Sequence, residues 1–388
     1  MSKMKLPDGW KYIKLSELFD EESEKNHSDA EVLTIVQGVG TVPRKDSGRD
    51  IIYDKNSLSN YKYVRKDDFI IHLRSFEGGL EIANQEGIVS PAYIILRTKI
   101  QAEPGYLYAL FHSNRFINQT MAPAVEGVRD GRTVKYEVLK NQYIPFPPLS
   151  EQKKIAEILY KQDKLILFKQ KLLEQKQQQK KWLMQKLLEV SYAGADVEEK
   201  FSLGGVVIDK SGWKKERLGN ISSISTGYQP KKVLSFGNYL FINAGCEYSG
   251  FTDDFNAVGD SITTPSRGQG GIGLVAYQYQ NFWCGPLCYQ IRDNTEQNNN
   301  KYIYYYLNYT NKNIKDLVQV GTIPAVNLTD LEKVYISLPS LPEQKIIAKV
   351  LSAADKEIAL IKSSIEQEKQ KKKSLAQLLL TGTVRVKT

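Results

Sequence analysis

The chain has 388 residues, enough for two or three domains with separate cores. Its net charge of +9 and pI near 9.0, spread through both halves, favour a polyanionic partner, nucleic acid first, over a purely structural role. No run of about 18 apolar residues and no charged-then-apolar N-terminal pattern occurs, so neither membrane spanning nor export is indicated. The odd set Cys246, Cys284 and Cys288, all in the second half, argues against a disulfide framework and fits a reducing cytoplasm.

The chain opens with Gly9-Trp10-Lys11, and the segment that follows reads as mixed α/β, with Tyr93–Leu96 as a strand and Tyr106–Phe111 as a helix. Its turn-like stretches carry Arg44, Lys45 and Arg49, then Lys62 with Arg65 and Lys66, then Arg129 and Arg132. Arginine and lysine donate to guanine edges, and asparagine and glutamine match adenine, so these are residue types that a base-reading loop requires. Arg74 precedes Phe76-Glu77-Gly78-Gly79, which reads equally as a plain hairpin turn or as a loop that lets the backbone approach a phosphate. The prolines of Ile144-Pro145-Phe146-Pro147-Pro148-Leu149 exclude a helix interior and a central strand, and a rigid extended arm is expected.

A helix then starts, with Ser150 at the cap or first turn and Glu151 at the positive helix end. Ile155, Leu159, Ile166 and Leu173 form an apolar seam interrupted by Gln162 and Lys169. Leu165, Leu167, Phe168 and Leu172 widen the apolar surface beyond what one helix partner covers, and are the candidate subunit-binding residues. The seam lapses over Lys176–Lys181, either as a solvated face or for phosphate contact, and resumes at Leu183 and Leu187. About 39 residues of helix would span roughly 58 Å.

Gly212-Trp213-Lys214 repeats the opening triplet 203 positions later. Beyond it lie Gln229-Pro230-Lys231-Lys232, and then Arg267 before Gly268-Gln269-Gly270-Gly271-Ile272-Gly273. This glycine string is expected to lack the apolar strand before it and the helix after it that a dinucleotide site requires. Leu274–Tyr277 reads as a strand. Tyr302, Tyr304, Tyr305, Tyr306 and Tyr309, at near-helical spacing, read as core and helix surface rather than a base-stacking platform. Cys284 and Cys288 read as buried free thiols, because the only histidines, His27, His72 and His112, lie in the other half.

A second arm, Ile336–Pro342, leads into Leu341-Pro342-Glu343-Gln344-Lys345, which repeats Leu149-Ser150-Glu151-Gln152-Lys153 192 positions later. The register continues without a gap to Leu188 and Leu380. Ile347, Leu351, Ala354, Ile358, Ile361 and Ile365 make a heptad seam. Two homologous halves follow, in a mixed α+β architecture with an internal pseudo-twofold repeat. Its expected parts are a globular domain over 1–148, a long helix over 149–190, a linker and second globular domain over 191–340, and a second long helix and tail over 341–388. The globular interiors hardly match each other in sequence, which suggests one task performed on two targets. Walker loop, nucleophile elbow, zinc-protease helix and methyltransferase tetrapeptide are all absent from the sequence, so the chain is expected not to be an enzyme.

The repeated Pro-x-Leu-x-Glu-Gln helix entrance, the two Gly-Trp-Lys openings, Val64–Ile70 and Gly87–Tyr93 resemble the DNA-specificity subunit of Type I restriction-modification systems, over the whole chain. The resemblance implies two target recognition domains, each reading one part of a split, asymmetric site on double-stranded DNA. It implies two long antiparallel coiled-coil helices that set the spacer and dock two methyltransferase subunits, with restriction/translocase subunits joining the complex. S-adenosylmethionine would belong to the methyltransferase partner, ATP and Mg to the restriction partner, and no cofactor to this chain. The DNA-binding candidates are Arg44, Lys45, Arg49, Arg74, Arg129, Arg132, Lys231, Lys232, Arg267 and Gln269. A ring-like layout with closed ends is also implied, although Glu189–Gly194 after the first helix has no close match in Leu380–Thr388. The alternative is a coiled-coil scaffold whose globular halves bind other proteins.

Overall fold

A computed structural model of the chain describes residues 6–48, 55–71, 79–127, 133–190, 200–203, 205–244, 247–268, 273–293, 295–318 and 324–387. The long helices run over Leu149–Leu188 and Leu341–Leu380, 40 residues each, so the 192-residue register holds at both of their ends. The chain divides into two compact units, one of residues 1–170 with 363–388 and one of residues 171–362. Each unit therefore owns half of either helix.

In the first unit, Lys11–Lys14 pairs antiparallel with Tyr143–Phe146. The expected extended arm is thus a strand. Pro145 is tolerated opposite Tyr12 because a two-stranded ribbon has an open side, where a missing N–H breaks no ladder bond. A four-stranded antiparallel sheet follows, in the order Phe19–Glu22, Ile94–Thr98, Phe69–Ile71, Glu81–Ile82. Alternation along Phe69-Ile70-Ile71 sends Phe69 and Ile71 into a large core with Trp10, Tyr106, Phe111 and Ile155, while Ile70 joins a smaller core with Leu33, Ile35, Val64, Val89 and Ile95. Burial on both faces explains why this strand is apolar at every position.

The second unit repeats the arrangement. Lys214–Arg217 pairs antiparallel with Tyr335–Leu338, and the four-stranded order is Ser223–Thr226, Cys288–Arg292, Ser261–Pro265, Ala276–Gln278. Sequence comparison had these interiors nearly unmatched, yet their framework topology is the same. A second layer lies behind each sheet. The first unit has the hairpin Leu33–Val36/Gly40–Pro43 and the pair Lys62–Val64/Gly87–Val89. The second unit has Gly250–Thr252, Tyr239–Ile242 and Phe282–Cys284, including one parallel pairing, over a small core of Ile242, Ala257, Phe282, Cys284 and Cys288. The pairing pattern of this layer is nonetheless common to both units, because Val32 bridges Ile88 in parallel as Leu240 does Phe282, and Ala257 bridges Phe282 antiparallel as Tyr63 does Ile88; the units differ in the side chains that the layer carries.

Within the first unit the helix halves pack antiparallel, and the polar residues that interrupt the first seam find polar partners on the facing helix. Gln162 Nε2 donates to Glu368 Oε2 at 2.7 Å, and Lys169 Nζ lies 2.8 Å from Glu368 Oε1 and 2.7 Å from Ser364 Oγ. Lys372 pairs with Asp163. In the second unit Lys176 pairs with Glu357 at 2.8 Å and Lys180 with Asp355. These lysines hold carboxylates of the facing helix, which removes them as free phosphate contacts. The Lys169 ammonium, with Gln162, holds the Glu368 carboxyl below its ordinary 4.5. A carboxyl depressed in the folded state stabilises the fold above its unfolded value, and that contribution disappears as pH falls through the lowered value. In urea titrations, Glu368→Gln should therefore unfold earlier than the parent at pH 7, with the gap closing below about pH 4; a gap independent of pH would exclude the pairing.

The Glu-Gln of the repeated entrance acts as a buried clamp. Gln152 Oε1 accepts from the backbone N–H of Glu103, the cap of helix Pro104–Phe111, at 2.9 Å, and its Nε2 donates to the Pro147 carbonyl at 2.8 Å. Gln344 does the same with Asn299, the cap of helix Asn300–Tyr309, at 2.8 Å and with the Pro339 carbonyl at 3.0 Å. Tyr106 and Tyr302 hydroxyls complete each copy by donating to the carbonyls of Pro145 and Ser337. The adjoining glutamates diverge. Ser340 offers its N–H to Glu343 at 3.1 Å, whereas Pro148, in the matching place, has no N–H, and Glu151 instead receives Trp10 Nε1 at 3.1 Å and the guanidinium of Arg385. Trp213 Nε1, the counterpart of Trp10, is buried with no partner among the described residues.

Arg385 also answers how the C-terminal end is held. Leu379 and Leu380 enter the same core as Trp10, and the turn at Gly382 packs on Pro7. In the second unit Leu187 and Leu188 enter the core of Trp213. The end of each helix thus docks beside a Gly-Trp-Lys triplet, although the tail sequences differ.

Candidate nucleic-acid interface

Arg44 and Lys45 form a single helical turn, Arg44–Asp46, directly after the hairpin strand Gly40–Pro43 of the first unit's second layer. Arg44 N donates to the Val32 carbonyl and its side chain is half-buried. Lys45 is exposed but paired with Glu31 at 2.9 Å, which raises the lysine and lowers the glutamate. In the second unit Lys231 and Lys232 are exposed on the loop between Ser223–Thr226 and Tyr239–Ile242, and neither is ion-paired among the described residues. Arg267 is exposed at the end of Ser261–Pro265, where it bridges Ala325 and Gly268 N donates to the Pro324 carbonyl. Arg49, Arg74, Arg129, Arg132 and Gln269 lie outside the described residues. The glycine string at 268–273 follows a strand, Ser261–Pro265, whose Ser-Ile-Thr-Thr-Pro sequence is not apolar, and it leads into another strand, Ala276–Gln278, rather than the helix a dinucleotide site needs.

Lys62 is drawn into the fold, whereas Arg65 stays exposed. Lys62 Nζ donates to the Tyr93 carbonyl at 2.7 Å, and burial lowers its pKa, while Arg65 reaches Glu24 at 3.5 Å. Arg97, which no motif marked, grips Asp68 through two bonds of 3.0 and 2.8 Å, and the carboxylate in turn raises the guanidinium. Cys284 and Cys288 are buried free thiols, with Cys284 Sγ donating to the Cys288 carbonyl and Cys288 Sγ to the Tyr289 carbonyl, both at 3.5 Å, and Cys246 lies outside the described residues. Among the described residues no three metal-ligating side chains gather, and no helix is long and apolar enough to cross a membrane.

On the central helix Leu165, Leu167 and Phe168 are exposed, Phe168 at 65% opposite the Ile155, Leu159, Ile166 seam and Leu165 and Leu167 on its two flanks; Leu172 is half-buried. Tyr160, seven residues before Leu167, adds to that residue's flank at 59%. Leu360 stands 192 positions after Phe168 and is 62% exposed.

Both halves thus repeat one framework and one second-layer strand plan, filled with different side chains. The family model for the Type I restriction modification DNA specificity domain matches residues 7–177 and again 210–370, and the chain belongs to that family. A Methanocaldococcus jannaschii protein named as the MjaX specificity subunit of a type I restriction enzyme is 29% identical over 86% of this chain and 82% of its own. The MjaVIII specificity subunit of the same organism is 24% identical over 100% of this chain and 96% of its own. In fold the chain is similar to the crystal structure of a Type I restriction-modification S subunit from M. genitalium, with a TM-score of 0.64 at 17% identity, covering 97% and 98% of the two chains.

Proposed function

We propose that this DNA-specificity subunit reads a split, asymmetric site with its two second layers, one part each, in the cytoplasm. The observation that carries this is a repeated strand plan with diverged contents: the clamp, strand pair, four-stranded sheet and second layer all recur, whereas the side chains of the second layers, beside Arg44, Lys45, Lys231 and Lys232, hardly match. A scaffold binding two copies of one protein would have kept those layers alike.

The chain itself contributes recognition and assembly. Methyl transfer from S-adenosylmethionine belongs to two methyltransferase subunits, and ATP- and Mg-dependent restriction and translocation to further subunits. Docking of the methyltransferases is supported by the exposed apolar side chains that recur on the repeat, Phe168 on one helix and Leu360 on the other. Co-expression with the methyltransferase subunit should yield a complex whose light-scattering mass includes two partner copies, and mapping of methylated adenines should return one bipartite motif. Phe168→Asp and Leu360→Asp should each weaken retention of a partner copy. A stable complex with one copy in the parent, or a motif without a gap, would overturn the reading.

A further inference from the structure

Phe236 is 87% exposed, more than any other large apolar side chain among the described residues. Isolated exposed apolar side chains are ordinary, but this one is held on a fastened loop. At its start Gly227 N donates to the Gly285 carbonyl and Tyr228 N to the Cys284 carbonyl, both at 3.2 Å, while Trp283 Nε1 returns a bond of 2.8 Å to the Tyr228 carbonyl. A Cβ at Gly227 would stand 1.8 Å from the Cys284 carbonyl oxygen, so only glycine permits that approach. Further along, Leu234 and Phe251 exchange two backbone bonds of 2.9 and 3.0 Å, and Gly237 packs so closely that a Cβ would lie 2.7 Å from the Thr252 carbonyl oxygen. Ordering a large ring in water without burying it gains nothing within the chain, so the gain must come from something that covers it.

The charge around the loop identifies the covering surface. Residues 218–246 contain no aspartate or glutamate, and Lys231 and Lys232, five and four positions before Phe236, are exposed without ion pairs among the described residues. The exposed carboxylates of Asp253 and Asp254 follow Thr252, and neither is ion-paired with Lys231 or Lys232. A polyanion approaching this surface places its phosphates on the lysine side and its less charged interior over the ring. A nucleic-acid duplex has that distribution: phosphates at the groove edge and apolar base surface within the groove.

We propose that Phe236 is a specificity-determining residue of the second unit, making an apolar contact with base surface while Lys231 and Lys232 hold the adjacent phosphates. The proposal rests on the DNA-reading function above and deepens it, and its experiment separates the two. The full chain is assembled with its methyltransferase subunits, and affinity is measured by fluorescence anisotropy on the duplex defined by adenine mapping and on a scrambled duplex. A parent complex that does not prefer its own site overturns the bipartite reading and this proposal with it. Given that preference, Phe236→Ala should weaken cognate binding about 10-fold or more, leave scrambled binding within about twofold and leave the complex mass unchanged; Phe236→Tyr, which keeps the ring, should recover most of the loss. Lys231→Ala and Lys232→Ala should instead weaken both duplexes, each reducing the salt dependence by about one phosphate contact. Thymine-to-uracil duplexes identify a methyl group as the ring's partner, and 2-aminopurine fluorescence an opened base step. Unchanged cognate affinity in Phe236→Ala, an equal loss on both duplexes, loss of a partner subunit, or neither base signal overturns the proposal.

Discussion

Removing one turn from both long helices at matched places, Gln175–Gln178 from the first and Lys356–Ala359 from the second, should shorten the spacer of the recognised DNA site by one or two base pairs and leave both half-sites unchanged. Four residues remove about 6 Å of rise and turn the remainder by only about 40°, against about 3.4 Å per base-pair step. The matched cut takes out both members of the Lys176–Glu357 pair and keeps the Lys169–Glu368 and Lys180–Asp355 pairs on either side. Deleting Gln175–Gln178 alone would carry Lys180 a turn away from Asp355, and should lower stability as well. Sequencing of methylated adenines reads the outcome, and a matched variant that folds and methylates the original spacer would show that the helices do not measure the site.

The largest stability losses from single substitutions are expected at the two clamp glutamines, which are 0% and 1% exposed. Gln152→Leu and Gln344→Leu keep approximate size but leave a backbone N–H and a carbonyl unpaired in each case, a cost of about 2 to 4 kcal/mol. By contrast, Glu343→Ala removes an exposed cap worth about 1 kcal/mol. Urea unfolding should rank the variants in that order, and the two glutamine variants should lose structure in different units, resolved by hydrogen exchange of helices Pro104–Phe111 and Asn300–Tyr309. Costs below about 1 kcal/mol at both glutamines would mean that water replaces the clamp.

The helix bounds were readable because two copies of the same cap chemistry stand in one register, so each copy checks the other. The clamp was not: Gln152 and Gln344 look like any polar residue in a first turn, and their backbone partners Glu103 and Asn299 lie more than forty positions upstream with no shared side chain to mark them. Gln162 and Lys169 read as defects in a seam because sequence shows one helix at a time, while Glu368 on the facing helix makes them a polar layer. The common sheet stayed hidden because it depends on backbone register in strands of two to five residues, several of which share no side-chain pattern between copies. For the proposed interface, residue type singles out Lys231 and Lys232 but passes over Phe236, whose exposure no local pattern encodes.

The small separate core behind each sheet bears on how such a protein can change over generations. Ile70 and Ile95 face Leu33, Ile35 and Val64, whereas their neighbours Phe69, Ile71 and Leu96 face the framework. Distant substitutions with no shared partners act nearly independently on stability, so the reading layer can accumulate replacements without drawing on the margin that keeps the clamp and helices folded. Selection for a new target then meets a tolerant module on a conserved chassis, and the two modules of one chain are free to drift apart.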